Sequence, residues 1–189
     1  MKTVVDNINE IIIKKSKFIA LIYNVSDKEQ ITNKLDELRK KYKDATHICY
    51  AYIIENQEKY EDDGEPSKTA GQPILNVLQK ENLKNVLCVV IRYFGGIKLG
   101  AGGLIRAYSK ACKEALITKT LEKGYKIKIT FDYNDIKKIE YLLKNSNILD
   151  KTYDLKTSYV FLIDENNYNF IIDNLSKIST IDYIENIFI

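Results

Sequence analysis

The sequence predicts an α+β protein of two domains, and three observations point there. Segments of strand period alternate with segments of helix period along the chain. Seven of the eight glycines and both prolines fall between Gly64 and Gly103, whereas Gly124 stands alone between a helical stretch and a strand-like run. Beyond Gly124 the elements follow the order strand, helix, strand, strand, helix, strand, which implies a ferredoxin-like βαββαβ sandwich. The expected domains are residues 1–123 and 125–189, divided near Lys123-Gly124.

In the first domain, residues 3–13 and 17–24 read as two strands turning at Lys14-Lys15-Ser16. Ser26-x-x-Glu29 has the spacing of a capping box, and Ile31, Leu35, Leu38 and Tyr42 then mark one face of a helix over about residues 27–43. Residues 46–54 alternate as a strand, with His47, Cys49, Ala51 and Ile53 on one face and Ile48, Tyr50, Tyr52 and Ile54 on the other. Pro73 suits the first turn of a short helix. Val86–Tyr93 is an apolar run of strand length, buried on both faces. A glycine loop and a helix from about Leu104 to Thr118 follow. In the second domain the strands are expected at Tyr125–Tyr133, Ile148–Leu155, Ser158–Ile163 and Ile181–Ile189, with helices at Asp135–Lys144 and Glu165–Lys177.

A chain of 189 residues with 45% hydrophobic and 29% charged residues buries a core without staples. Three cysteines with no short-range pairing argue for a reducing compartment. The opening MKTVVDNINEIIIKKSKF lacks a signal-peptide pattern, and no apolar run reaches membrane-span length. The expectation is a cytoplasmic protein with no membrane partner. Net charge is +3, but residues 1–124 carry 21 basic against 16 acidic side chains, whereas residues 125–189 carry 8 against 10. A polyanion would therefore favour the first domain. Lysine outnumbers arginine 26 to 3, so each arginine, with its planar bidentate fork, stands out.

Two stretches could carry chemistry. Glu61–Pro73 (EDDGEPSKTAGQP) places Asp62, Asp63 and Glu65 beside Ser67, Lys68 and Thr69 in a segment without strand or helix period. Such a segment could ligate a hard cation, supply a carboxylate pair, contact a partner, or cap its own turns and the next helix. In Arg92–Arg106 (RYFGGIKLGAGGLIR), Arg92 and Arg106 bracket Gly95, Gly96, Lys98, Gly100, Gly102 and Gly103. A glycine loop between a buried strand and a helix N-terminus can turn backbone N–H groups onto an anion. Alternatively the glycines permit close packing of helix on strand. It is neither a Walker A loop, lacking Gly-Lys-Ser/Thr, nor a dinucleotide fingerprint, lacking the third glycine. His47-x-Cys49 puts two potential ligands on one strand face, but no other cysteine lies at metal-site spacing. No catalytic residue, metal or cofactor is expected.

These residues together resemble the IMPACT family, in its bacterial, YigZ-type branch. The resemblance is carried by Glu61–Pro73, by Arg92–Gly100 with Gly102–Tyr108, and by Ala45–Ala51 (ATHICYA). The chain departs from many bacterial relatives at Tyr42-Lys43, where they have His-Pro. The resemblance implies a left-handed βαβ first domain of the ribosomal-protein type, as in domain four of elongation factor G, and a second domain similar to its domain five. It also implies a link to translation, which eukaryotic relatives regulate through protein contacts.

Three functions follow. The first is a non-enzymatic RNA- or ribosome-binding module that contacts phosphates through residues 92–106. The second is a protein-interaction regulator of translation or stress response, with the acidic segment facing a basic partner. The third is an enzyme acting on a phosphorylated small molecule, which requires both motifs to share one concave pocket.

Overall fold

A computed structural model describes residues 1–54 and 57–188. Two compact units result: Lys2–Thr120, and the chain from Leu121 onward together with Met1. The division lies three residues before the glycine expected to mark it. Among the described residues no helix is long and apolar enough to cross a membrane.

The first unit is built on a five-stranded antiparallel sheet. Its strands are β2 (Asn7–Ile13), β3 (Ser16–Asn24), β4 (His47–Ile54), β5 (Gln57–Glu61) and β6 (Val86–Tyr93), in the order β2-β3-β6-β4-β5. The stretch expected as one strand over 3–13 is two. Its first part, β1 (Lys2–Val4), leaves the main sheet to pair with β7 (Thr118–Thr120). Strand β6 sits at the centre, and its period of two sends alternate residues to opposite faces. Leu87, Val89 and Ile91 meet helix α1 (Lys28–Lys41) through Ile31, Leu35 and Leu38. Val86, Cys88 and Val90 meet helices α2 (Gly71–Lys80) and α3 (Ala101–Ala115). The same parity puts Arg92 on the α2–α3 side, together with His47 and Cys49 of β4.

Two helix starts differ from expectation. Asp27, not Ser26, caps α1: its carboxylate accepts from Gln30 N, while Ser26 N donates to the Gln30 side chain. The capping logic holds one residue later, because Asp27 is an equally good acceptor. Helix α3 begins at Ala101 rather than Leu104, so Gly102 and Gly103 lie in its first turn. Packing of Leu104, Ala107, Tyr108, Ala111 and Cys112 into the core outweighs the low helix propensity of those glycines. The expected helical end at Thr118 is instead the start of β7.

The second unit has a four-stranded antiparallel sheet of β8 (Lys123–Phe131), β9 (Asn147–Tyr153), β10 (Thr157–Asp164) and β11 (Thr180–Phe188), in the order β11-β8-β10-β9. Helices α4 (Ile136–Leu142) and α5 (Glu165–Leu175) complete it, and its core is formed by Ile127, Ile129, Phe131, Ile139, Tyr159, Phe161 and Ile171. Asp164 caps α5 by accepting from Asn167 N, and these bonds hold its carboxyl below the usual range. The last residue of the expected final strand, Ile189, lies outside the described residues.

Candidate functional site

Both motif segments meet in the first unit, on the face where β4 and β6 run under the start of α3. The groove there has a volume of roughly 440 Å³ and is lined by His47, Glu65, Arg92, Phe94, Lys98 and the first turn of α3, among others.

The acidic segment is organised by its own carboxylates. Asp62 accepts from the backbone N–H groups of Lys68, Ala70 and Gly71, at 2.7, 3.0 and 2.8 Å. Because Ala70 and Gly71 open α2, Asp62 caps that helix from a distance, and Thr69 Oγ1 closes a local turn on Pro66 O. Asp63 accepts from Ile48 N at 2.6 Å. Asp62 thus spends most of its acceptor capacity on its own backbone. Ser67 is exposed.

Glu65 turns the other way. It is buried, and its Oε1 accepts from Arg92 Nη1 and from Tyr108 OH. Arg92, 5% exposed, lies between the rings of Phe18 and Phe94, at 5.4 and 5.5 Å from its guanidinium carbon. Its Nη2 reaches Ser16 Oγ at 3.4 Å, and among the described residues its Nε has no hydrogen-bond partner. Arg92 is thus a buried ion pair, not the free surface fork that the loop's sequence suggested. Burial first, then Cys49 and Glu65 beside it, pushes the Tyr108 phenol far up. Burial likewise pushes the Cys49 thiol up. Neither is a nucleophile.

The glycine loop divides into two parts. Gly95 is pressed against the β2–β3 turn, where its N–H donates to Ser16 Oγ at 3.2 Å. Close packing is therefore its role. Further on, Gly96 and Lys98 are exposed, and Gly100, at φ +69°, is the N-cap of α3 with no side chain to cap it. Among the described residues no side chain caps the first-turn N–H groups of this 15-residue helix. Arg106 is exposed on the next turn, outside the groove lining.

His47 is the residue whose role the sequence left open. Its Nδ1 lies 2.7 Å from the Asp63 carbonyl oxygen, and its Nε2 lies 3.9 Å from Glu65 Oε2. Its parity with Cys49 pointed it to this face, but nothing local announced the turn of Asp63 beneath it.

Residues 14–116 match the family model described as the Impact N-terminal domain. The chain is 48% identical over 149 residues to the IMPACT family member YvyE of Bacillus subtilis (strain 168), covering 76% of this chain and 69% of that protein. It is 34% identical over 139 residues to the IMPACT family member YigZ of Escherichia coli (strain K12), covering 69% of this chain and 68% of that one. A crystal structure described as that of a hypothetical protein superposes with a TM-score of 0.65 at 27% identity, over 93% of this chain and 91% of the other. The chain belongs to the IMPACT family.

Proposed function

We propose that this protein is a non-enzymatic RNA- or ribosome-binding protein linked to translation, which contacts phosphates through the 92–106 glycine loop. The observation that carries the reading is the convergence of Lys98, the uncapped start of α3 and the exposed ring of Phe94 on one groove. Phosphate recognition uses N–H donors, a helix dipole and cations, and an accessible aromatic ring offers a stacking surface for a base. Arg106 extends the positive edge along α3. The link to translation rests on family membership. The strand order β11-β8-β10-β9 supports reading the second unit as a ferredoxin-like sandwich, and the first we read as the left-handed βαβ type.

The other readings have less support. A basic partner docking on the acidic segment would meet Asp62 and Asp63 already engaged with backbone N–H groups. The enzyme reading gains the shared groove it requires, yet burial holds Tyr108 and Cys49 in their protonated forms.

Lys98 and Arg106 are exposed, so their removal leaves the core intact. Lys98→Ala combined with Arg106→Ala should lower affinity for ribosomes or short RNA about tenfold at low salt, with unchanged thermal unfolding. Filter binding of the folded variant checks this; undiminished affinity would remove the glycine loop from the contact.

A further inference from the structure

The second unit has a surface that phosphate binding does not use. Helices α4 and α5 bury Ile139, Ile171 and Leu175 in its core, yet they leave the rings of Tyr141 and Phe170 70% and 65% exposed. Apolar side chains exposed singly are ordinary, whereas these two line one hollow of roughly 190 Å³. Tyr141 and Leu142 also line a second hollow, of roughly 460 Å³. On α5 the lining residues Asn167, Phe170, Ile171 and Asn174 recur at i, i+3, i+4 and i+7, one stripe of the helix, and Glu165 and Asp173 stand off it.

Charge on this surface is one-sided. The two hollows are lined by Lys137, Lys138, Lys144 and Lys177, all exposed, against one carboxylate, Asp164, which is spent on capping α5. Elsewhere in the unit lysines are matched: Lys126, Lys151 and Lys156 each pair with a carboxylate, as Lys138 does with Asp135. Among the described residues Lys137, Lys144 and Lys177 have no such partner, and all three line the hollows. The surplus is local, because residues 125–189 carry 8 basic against 10 acidic side chains. We propose that the α4–α5 face docks an acidic peptide segment of a partner protein. An apolar side chain of that segment enters the hollow of Tyr141 and Phe170, and its carboxylates meet Lys137, Lys144 and Lys177. A nucleic acid fits this face less well: its charge extends past the hollows, over a unit that is acidic in sum. The inference goes beyond the glycine-loop reading and does not depend on it.

The test uses the full chain, first to select binders from a displayed library of random short peptides, then to measure the enriched peptides by fluorescence anisotropy. Peptides rich in Asp and Glu around an aromatic or aliphatic residue are expected. Lys137→Glu/Lys144→Glu/Lys177→Glu should weaken their binding about tenfold or more, by reversing the charges that meet the carboxylates. Phe170→Ala should weaken it about tenfold at unchanged net charge. Both variants alter exposed side chains, and thermal unfolding checks that each is folded; should one fail, the other decides. Lys98→Ala/Arg106→Ala should bind the peptides as the parent protein does, so this inference and the glycine-loop reading fail separately. Selection of no peptide, or of peptides without acidic character, overturns the proposal, as does binding that both face variants leave intact. A short RNA whose affinity falls in the charge-reversal variant, and which the peptides do not displace, would assign the face to nucleic acid and overturn the peptide site.

Discussion

Glu65→Ala is expected to destabilise the first unit by about 3–5 kcal/mol. The substitution strands the Arg92 guanidinium, which is 5% exposed and lies between Phe18 and Phe94. It also takes the acceptor from Tyr108 OH, a fully buried hydroxyl. The cost comes from leaving a buried charge unpaired, more than from the attraction lost. Pairing Glu65→Leu with Arg92→Met should therefore cost less than either change alone, because no uncompensated charge remains. Urea unfolding of the four proteins measures the cycle. A loss below about 1 kcal/mol for Glu65→Ala would contradict a buried pair at this position.

Gly95→Ala should cost about 3 kcal/mol, and Gly96→Ala about 1 kcal/mol. The two glycines are adjacent and their constraints differ in kind. A Cβ on Gly95 would lie 2.0 Å from the Lys15 carbonyl carbon and 2.4 Å from Ser16 N, so backbone must move. A Cβ on Gly96 meets nothing within 4 Å, and only its φ of +83° opposes a side chain. Retreat of Gly95 from the β2–β3 turn would also lengthen its bond to Ser16, the residue that Arg92 Nη2 approaches. Equal losses for the two variants in thermal unfolding would show that conformation, not close approach, fixes Gly95.

Much of the frame was readable from side-chain parity alone. The alternation in residues 46–54 assigned Cys49, Ala51 and Ile53 to one face, and the core follows that assignment, with Cys88 and Val90 of the strand read as buried on both faces packed beside them. Arg92 shares their parity, so an inward guanidinium needing a counter-charge was implicit in the strand. Its partner was not: Glu65 lies 27 positions away, in a run of acidic residues that reads as solvated surface. The contact of Gly95 with Ser16 spans 79 positions and has no local signature. Helix starts were legible to within a few residues. Two neighbouring acceptors, Ser26 and Asp27, compete for the cap of α1, and glycines that look like loop become helix once Leu104 and Tyr108 pack. In the acidic segment, the capping of α2 was among the roles the residue types allowed, and Asp62 fills it.

The most direct test of phosphate contact through the glycine loop is the affinity of the protein for a short RNA, measured across a series of salt concentrations. If residues 92–106 neutralise phosphates, log affinity falls linearly with log salt, and the Lys98→Ala/Arg106→Ala variant shows a slope shallower by about 1–2. A salt-independent affinity, or one slope shared by both proteins, would contradict that contact.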